Sequence, residues 1–169
     1  MKVKIKKLND NATIPAKVHS TDAGFDLTAT SKLYDKYGNV SYGTGLAFEI
    51  PEGFVGLLFP RSSNCKKDLL MCNSVGVLDS CYRGEVFFKL KPSSLLWDNE
   101  GDIDEDGYGE DTTSFDYIDE PDRNEFKDYN IGDKIGQIII LPYPEVEFEE
   151  TSELSASDRG MNGFGSSGK

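Results

Sequence analysis

The chain has 169 residues, of which 37% are hydrophobic and 11% aromatic, so it is long enough for one folded domain with a sizeable core. Its formal net charge is −12, and this balance excludes nonspecific nucleic-acid binding, which needs a basic surface. No apolar run approaches the length of a transmembrane helix, and residues 1–10 lack the apolar core of a signal peptide. We therefore expect a globular protein that binds neither nucleic acid nor membrane.

The acidity lies in one segment rather than across the chain. Residues 98–128 carry 14 Asp and Glu against Arg123 and Lys127, whereas the remainder holds 16 acids and 16 bases. The cysteines are odd in number and form no CxxC pair; they are Cys65, Cys72 and Cys81. Free thiols in a reducing cytosol are the simplest interpretation, so we expect a cytoplasmic protein without a zinc site.

Short strand-like stretches follow one another along the chain, separated by Gly, Pro, Asn and Asp. They are KVKIKKL (2–8), GFDLTAT (24–30), GLAFEI (45–50), GFVGLLF (53–59), NSVGVLD (73–79), EVFFKL (85–90) and KIGQIIILPY (134–143). No window keeps helical periodicity over three turns, and at most one or two helical turns fit after Pro60, over RSSNCKKD. The pattern predicts an all-β sandwich or barrel.

Residues 75–90 place Asp79 directly after an apolar strand. The stretch predicts a hairpin that turns through residues 80–84 and continues along an alternating strand. An acid at the mouth of such a hairpin either caps the turn or performs chemistry. On this stretch alone the turn cap is the simpler interpretation, although a carboxylate that is ionised at neutral pH can also accept a proton.

The strand pattern stops at Ser93 and is expected to resume at Tyr129–Ile131. An irregular segment this long inside a compact domain usually marks an insertion. Its composition favours a solvated surface insertion, and docking of an unidentified protein partner is the alternative. Apolar density falls again after Pro144, and the Gly/Ser-rich end predicts a mobile arm. We expect a β domain over residues 1–145, with the acidic insertion at about 93–128, and a C-terminal arm over 146–169.

Two short motifs suggest ligand sites that their context does not support. DIDEDGYGED begins like a calcium loop, but its twelfth position is Thr113 instead of glutamate, and no helices flank it. GFGSSGK at the C-terminus matches the start of a nucleotide-binding P-loop without the helix that must follow. The amides and hydroxyls of this second stretch, together with Arg159, would still suit a phosphate chain, and Phe164 would suit a base.

Five separated pieces of the sequence are similar to the five motifs of the trimeric dUTPase family. They are AGFDL (23–27), PRSS (60–63), NSVGVLDSCYRGE (73–85), GDKIGQ (132–137) and RGMNGFGSSG (159–168). The resemblance implies a jelly-roll-like β fold and a homotrimer with active sites at the subunit interfaces, each closed by a C-terminal arm. It also implies hydrolysis of the substrate dUTP to dUMP and pyrophosphate with Mg²⁺, which limits uracil incorporation into DNA and supplies dUMP for thymidylate synthesis.

The resemblance also assigns roles to the matching residues. Asp79 is expected to deprotonate the water that attacks the α-phosphorus, Asp26 to hold Mg²⁺ through water, and Tyr82 to exclude a ribose 2′-hydroxyl. The other residues expected to contact the substrate form three groups. Those at the uracil are Asn73, Gly76, Val77 and Leu78. Those at the phosphates are Arg61, Ser62, Ser63 and Gln137, and those from the arm are Arg159, Phe164, Gly165, Ser166 and Ser167.

Two alternative functions are weighed against this one. A dCTP deaminase-like enzyme resembles dUTPase in fold and shares an Arg-Ser-Ser stretch, but it carries a glutamate on the strand after the third motif, where this chain has Lys89. A regulatory or binding module on the same fold, which engages a partner through the acidic insertion, is the other alternative. His19 precedes the first motif and is expected to be an exposed loop residue rather than a catalyst.

Overall fold

The computed structural model describes residues 1–67, 69–92 and 128–162. These residues contain ten β-strands and one short 3-10 helix. The strands are β1 Lys4–Lys7, β2 Phe25–Thr28, β3 Ser31–Tyr34, β4 Val40–Gly43, β5 Leu46–Glu49, β6 Phe54–Phe59, β7 Leu69–Met71, β8 Gly76–Leu78, β9 Phe87–Pro92 and β10 Lys134–Pro142. The 3-10 helix, Ser62–Lys66, lies where one or two helical turns were expected. In these parts of the chain no helix is long and apolar enough to cross a membrane.

Eight of the strands form two antiparallel sheets that share one core. The strand order is β2-β10-β6-β8 in the first sheet and β3-β4-β9-β7 in the second, while β1 pairs with β5 in a separate ribbon. Alternating apolar side chains of both sheets belong to one buried cluster, and its members include Leu27, Leu58, Ile138, Tyr42, Phe88 and Leu90. The all-β fold predicted from the alternation is therefore confirmed.

Three strands of the second sheet are not predicted by the sequence pattern. β3, β4 and β7 have only three or four residues each, and they lie outside the longer strand-like stretches that contain the equally short β2 and β8. Asp35, between β3 and β4, was nevertheless a turn signal in the sequence. Its carboxylate accepts hydrogen bonds from the backbone amides of Tyr37 and Asn39 at 2.9 and 3.0 Å. This is the Asx-turn chemistry that reverses a chain between two strands.

The expected hairpin over residues 75–90 is wrong, because its two strands lie in different sheets. β8 pairs with β6, with Leu78 opposite Gly56. β9 instead pairs with β4 and β7 in the second sheet. Residues 79–86 therefore cross from one sheet to the other. The alternation along a strand is the same whichever neighbour it pairs with, so the sequence pattern does not distinguish a hairpin from a crossover.

The expectation that a strand resumes at Tyr129–Ile131 is also wrong. β10 begins at Lys134, after a turn in which the Asp133 amide donates to the carbonyl of Asn130 at 3.1 Å. Tyr129 is instead a buried anchor, 3% exposed. The remainder of the acidic insertion, up to residue 127, lies outside the described residues, as does the calcium-loop-like stretch.

Candidate active site

Residues from three separate motifs meet where β2, β10 and β6 lie side by side. Gln137 of β10 lies opposite Asp26 of β2 and Phe59 of β6. Arg61 follows β6 closely and donates from Nε to Oδ1 of Asp26 at 2.9 Å. Gln137 donates from Nε2 to the carbonyl of Pro60 at 3.2 Å. The fold thus brings Asp26, Arg61 and Gln137 together from positions far apart in the sequence.

Lys134 joins this group, although the sequence analysis does not single it out. Its Nζ lies 2.9 Å from Oδ2 of Asp26. We call Asp26, Arg61, Lys134 and Gln137 the Asp26 cluster. A register shift in β10 between Lys134 and Gly136 interrupts the alternation, and this allows Lys134 to reach the face that carries Gln137. The signal in the sequence that could have identified Lys134 was a lysine inside the fourth motif. Strict alternation along β10, however, would have placed Lys134 on the face opposite to Gln137.

The electrostatics of the Asp26 cluster keep its carboxylate ionised. Burial acts to raise the pKa of the Asp26 carboxyl, but the hydrogen bond from Lys134 and the positive charge of Arg61 outweigh it. The pKa of Asp26 therefore lies below its ordinary value of 3.8. At neutral pH the cluster presents one carboxylate between two cations.

Ser62 and Ser63 begin the 3-10 helix directly after Arg61. The amide of Asn64 donates to the Arg61 carbonyl at 2.9 Å and closes the first turn. Ser62 is exposed and Ser63 is half-buried, and the Ser63 Oγ lies 3.4 Å from Nη1 of Arg61. A guanidinium with two hydroxyls beside it supplies directed donors for phosphate oxygens.

A cavity of about 270 Å³ adjoins the Asp26 cluster, and its lining includes Asp22, Gly24, Asp26 and Gln137. Mg²⁺ takes oxygen ligands and keeps several waters of its own. Both oxygens of Asp26 already accept hydrogen bonds, but a carboxylate offers about four lone-pair positions. A hydrated Mg²⁺ held through water by Asp26, with Asp22 on the same cavity, therefore fits this chemistry.

Gly24 explains the glycine of the first motif by a close approach of side chain to backbone. A Cβ at position 24 would lie 2.3 Å from Oε1 of Gln137 and 3.2 Å from its Cδ. A side chain there would therefore displace the Gln137 side-chain amide from its observed position. Glycine in the first motif leaves room for the glutamine of the fourth.

Asp79 lies at the other end of the same sheet. It follows Leu78, which is opposite Gly56, so Asp79 is level with Val55, whereas Asp26 is level with Phe59. With about 3.3 Å per residue along a strand and about 4.8 Å between strands, Asp79 lies roughly 20 Å from Asp26. A single chain therefore does not bring the expected base to the expected phosphate-binding residues.

The surroundings of Asp79 are less polar than the Asp26 cluster. Asp79 is exposed and borders a cavity of about 450 Å³ whose lining includes Phe54 and Tyr143. The loop behind it is ordered by the amide of Tyr82, which donates to the Asp79 carbonyl at 3.1 Å, and by the Tyr82 hydroxyl, which donates to the Glu85 carbonyl at 3.0 Å. This loop presents a carboxylate and a partly exposed aromatic ring together.

The other residues of the third motif differ in exposure. Asn73 is exposed in a turn where Ser74 has a φ of +57°, a left-handed conformation that is uncommon outside glycine. Val77 is 65% exposed, while Gly76 and Leu78 are buried. The Asn73 side chain and the Val77 surface are thus open to a ligand, whereas Leu78 packs into the core.

Arg159 lies in the exposed arm. Every described residue from Leu141 onward is exposed, and Phe148 and Leu154 are 95% and 88% exposed. Arg159 donates from Nε to the carbonyl of Asn162 at 2.9 Å, within a local turn. The other four predicted arm residues lie outside the described part of the chain; they are Phe164, Gly165, Ser166 and Ser167.

Lys89 has a structural partner remote from Asp79. It lies on β9 in the second sheet, and its Nζ is 2.7 Å from Oδ2 of Asp35. The hydrogen bond with Asp35 raises the pKa of the Lys89 ammonium. A cation held in this way does not supply the carboxylate that deamination requires. His19 is exposed in a loop, as expected.

Comparison with known proteins identifies the family and the fold. A sequence profile of the dUTPase family matches residues 10–94. The deoxyuridine 5′-triphosphate nucleotidohydrolase of Nautilia profundicola is 36% identical over the full length of both chains. The Staphylococcus bacteriophage 80alpha dUTPase, solved with dUPNHPP, aligns with a TM-score of 0.69 at 28% identity over 99% of each chain. A mutant dUTPase of Staphylococcus aureus phage phi11, solved to describe a structural Mg(II) ion, aligns with a TM-score of 0.64 at 28% identity over 90% of this chain and 98% of that one. The jelly-roll-like fold is therefore confirmed, and the chain belongs to the dUTPase family.

Proposed function

We propose that this chain hydrolyses dUTP to dUMP and pyrophosphate. The observation that carries the proposal is the convergence of Asp26, Arg61 and Gln137, because three motifs far apart in sequence come together there with groups suited to a triphosphate. Family membership over the whole chain supports it. The proposal includes a catalytic β domain over residues 1–145 and an arm over 146–169. It also includes a cytoplasmic location and a role in nucleotide metabolism.

The reaction follows from the chemistry of these groups. Asp79 accepts a proton from water while the water oxygen forms a bond to the α-phosphorus. The bond from the α-phosphorus to its bridging oxygen breaks, and pyrophosphate leaves with that electron pair. Arg61, Ser62 and Ser63 donate hydrogen bonds to the phosphate oxygens as negative charge moves onto the leaving group. On this scheme Asn73 and the backbone of β8 recognise uracil, and Tyr82 excludes a 2′-hydroxyl.

Asp26, with Asp22 on the same cavity, is proposed to hold a divalent metal ion through water. The oxygen chemistry of that cavity favours Mg²⁺, and the phi11 relative is described with a structural Mg(II) ion. When bound, the ion neutralises charge on the triphosphate.

We further propose a homotrimer in which different copies of the chain complete each site. Asp79 and the Asp26 cluster are too far apart in one chain to act on one phosphorus. The face of the first sheet that carries Asp26 continues with partly exposed apolar residues; they are Val55, Leu57, Val77, Ile139 and Leu141. An exposed apolar face of this kind favours association, and an arm with exposed Phe148 and Leu154 favours docking on a neighbour.

Pyrophosphate release from dUTP and dCTP, with Mg²⁺ or with a chelator, tests the activity. We expect release from dUTP that depends on the metal, and neither hydrolysis nor deamination of dCTP. Formation of dUTP from dCTP would instead establish the deaminase alternative. No release from dUTP under any condition would refute the proposed function.

Mixing two inactive variants tests the shared site. Arg61→Ala removes a phosphate contact and Asp79→Asn removes the base, so each homotrimer should be inactive. In trimers assembled from an equal mixture, about a quarter of the sites would combine an intact Arg61 with an intact Asp79 from another copy. Recovery near that fraction supports sites between subunits, and no recovery contradicts them.

A regulatory role through a protein partner is a second candidate. It is supported by the concentration of the whole net charge in residues 98–128, which would suit a basic partner. The 80alpha dUTPase structure is described as that of a phage dUTPase, a group that controls transfer of virulence genes. If replacement of the insertion abolished binding of the protein partner and left dUTP hydrolysis intact, the regulatory role would be separate from catalysis.

A further inference from the structure

Tyr129 connects the segment before β10 to the 3-10 helix that presents Ser62 and Ser63. Its hydroxyl donates to Oδ1 of Asn64 at 3.0 Å. Asn64 directly follows Ser63, and its Nδ2 donates to the carbonyl of Leu69 at 2.8 Å. One end of the Asn64 amide is therefore held by Tyr129, and the other by the start of β7.

The Tyr129 side chain is itself held from outside the candidate active site. Its backbone amide donates to the Tyr42 hydroxyl at 3.1 Å, and that hydroxyl donates back to the Tyr129 carbonyl at 3.2 Å. The two rings meet edge to face with centroids 5.9 Å apart. The Lys67 ammonium lies 5.0 Å from the Tyr129 ring centroid and 2.7 Å from the carbonyl oxygen of Asp128. Tyr129 is consequently a fixed point of the core.

The contacts of the Tyr129 phenol continue toward the phosphate-binding residues. Burial raises the pKa of this phenol, and the positive charge of Arg61 acts against the rise. Asn64, which the phenol contacts, directly follows Ser63. The Ser63 Oγ lies 3.4 Å from Nη1 of Arg61, and Arg61 is bonded to Asp26. A continuous set of contacts therefore leads from the buried ring to the Asp26 cluster.

The 3-10 helix needs an anchor of this kind. It spans only Ser62–Lys66, contains no buried residue, and has no side-chain cap at Arg61. The hydrogen bonds of a 3-10 helix have poorer geometry than those of an α-helix. Catalysis of phosphoryl transfer depends on donors held to within a fraction of an ångström. Contacts from outside the turn therefore hold it in place. They are the bond of Arg61 to Asp26 at its start and the bonds of Asn64 to Leu69 and Tyr129 within it.

We propose that Tyr129 is a positioning residue, which acts through Asn64 to hold Arg61, Ser62 and Ser63 against the leaving phosphates. The proposal rests on the proposed function, since it assigns a role within the same site. It predicts a defect confined to the phosphate side of the substrate. Recognition of the nucleoside, which the third motif supplies, should be unaffected.

Tyr129→Phe tests this role with little change in packing. The ring and its contacts with Tyr42 and Lys67 remain, while the hydroxyl is lost. We expect kcat/KM for dUTP to fall roughly 10- to 100-fold, the range for a small displacement of positioned groups. The inhibition constant of pyrophosphate should rise, and that of deoxyuridine should stay unchanged. Thermal unfolding would establish that the variant is folded under assay conditions.

Tyr34→Phe is the matched control. The Tyr34 hydroxyl donates to Oδ2 of Asp128 at 2.6 Å, so this substitution removes a phenol from the same junction without touching Asn64. We expect kinetics close to those of the unsubstituted protein. Equal defects in the two variants would overturn the assigned route, because the junction as a whole would then be responsible.

Asn64→Ala provides a second test that is independent of the buried ring, because Asn64 is only half-buried. It should show the same selective loss of pyrophosphate inhibition. If Tyr129 acts through Asn64, the double variant should be no worse than Asn64→Ala, since the two effects are not additive. Additive defects, or equal weakening of deoxyuridine and pyrophosphate, would refute the proposal. Full activity of Tyr129→Phe would refute it while leaving dUTP hydrolysis intact, whereas an inactive unsubstituted protein would refute the proposed function instead.

Discussion

Arg61, the second residue after β6, donates from Nε to Oδ1 of Asp26 at 2.9 Å. This bond joins the end of β6 to the middle of β2. Lys134 contacts the other oxygen of the same carboxylate at 2.9 Å. These contacts therefore orient the Arg61 guanidinium, which we propose binds phosphate. Preorganisation of this kind reduces the reorganisation needed during the reaction.

Asp26→Asn should destabilise the protein at neutral pH and much less in acid. The folded-state pKa of Asp26 is depressed, so its stabilising contribution is present above the ordinary pKa of 3.8 and is lost as the pH falls through the lower folded-state value. The free energy of unfolding, measured by denaturant titration at one protein concentration, should differ between the two proteins at pH 7. The difference should begin to shrink as the pH falls below about 3.8 and should vanish only below the lower folded-state pKa. A difference that persists in strong acid would contradict the ion-pair explanation. Glu52→Gln, in the exposed turn before β6, is the control.

Asp79→Asn should leave a folded protein that binds dUTP but turns it over slowly. The amide keeps the shape of the carboxylate and loses the base, and the loss of a general base typically costs 10²–10⁴-fold. Pyrophosphate release measures turnover, and binding of a non-hydrolysable dUTP analogue measures affinity. Asp10→Asn, an exposed acid outside the five motifs, should behave like the unsubstituted protein. Near-normal turnover of Asp79→Asn would remove this residue from the mechanism.

Gly84→Ala should weaken discrimination between dUTP and UTP. A Cβ at position 84 would lie 2.3 Å from the Tyr82 hydroxyl oxygen and 2.6 Å from Cζ, so the ring must move. We expect kcat/KM for dUTP to fall and the ratio of dUTP to UTP hydrolysis to decrease by roughly 10-fold, the usual effect of altered pocket contacts.

Gly53→Ala is the control for that substitution. Gly53 has a φ of +79°, and no atom of the described residues lies within 4 Å of the place that an alanine Cβ would take. Alanine there costs backbone strain without displacing Tyr82. The control should lose stability while keeping its selectivity. An unchanged dUTP to UTP ratio in Gly84→Ala would show that Tyr82 does not exclude the 2′-hydroxyl.

A chain that ends at Ala156 should still assemble but lose most of its activity. The described arm is exposed and the hydrogen bonds of its turns are local, so the folded body does not depend on it. Truncation removes Arg159 and the fifth motif, and losing such donors costs on the order of 10²-fold. Light scattering after size-exclusion chromatography measures assembly, and pyrophosphate release measures activity. Hydrolysis at the full rate would show that the arm is only a tail.

Replacement of residues 95–126 by a short Gly/Ser turn should preserve both assembly and dUTP hydrolysis. The replacement keeps Asp128 and Tyr129, whose contacts with Lys32, Tyr42 and Asn64 fasten the chain to the body. Closing a shorter loop also costs slightly less entropy. The formal net charge would rise from −12 to zero, which is expected to reduce solubility. Dissociation to monomers would reveal a structural role for the insertion, and trimers without activity would reveal a role in the site.

The sequence was informative wherever a structural feature depends on residues close together in the chain. The strand-like stretches identified β1, β2, β5, β6, β8, β9 and β10, and the turn after Pro60 was expected in its correct place. The pattern failed for β3, β4 and β7, which have three or four residues and, unlike the equally short β2 and β8, do not lie within one of the longer strand-like stretches. Such segments become strands only through their neighbours in a sheet.

The sequence by itself determined which chemistry-bearing residues the chain contains, because motifs such as PRSS and GDKIGQ are local and keep their order. Only the tertiary structure decided where those residues lie relative to one another. Strand pairing placed Asp79 across the sheet from Asp26, a register shift in β10 brought Lys134 to the same carboxylate, and burial made Tyr129 an anchor for the turn at Ser63. These outcomes depend on contacts between segments far apart in the chain, and the pattern of residues along a single strand does not encode its partner.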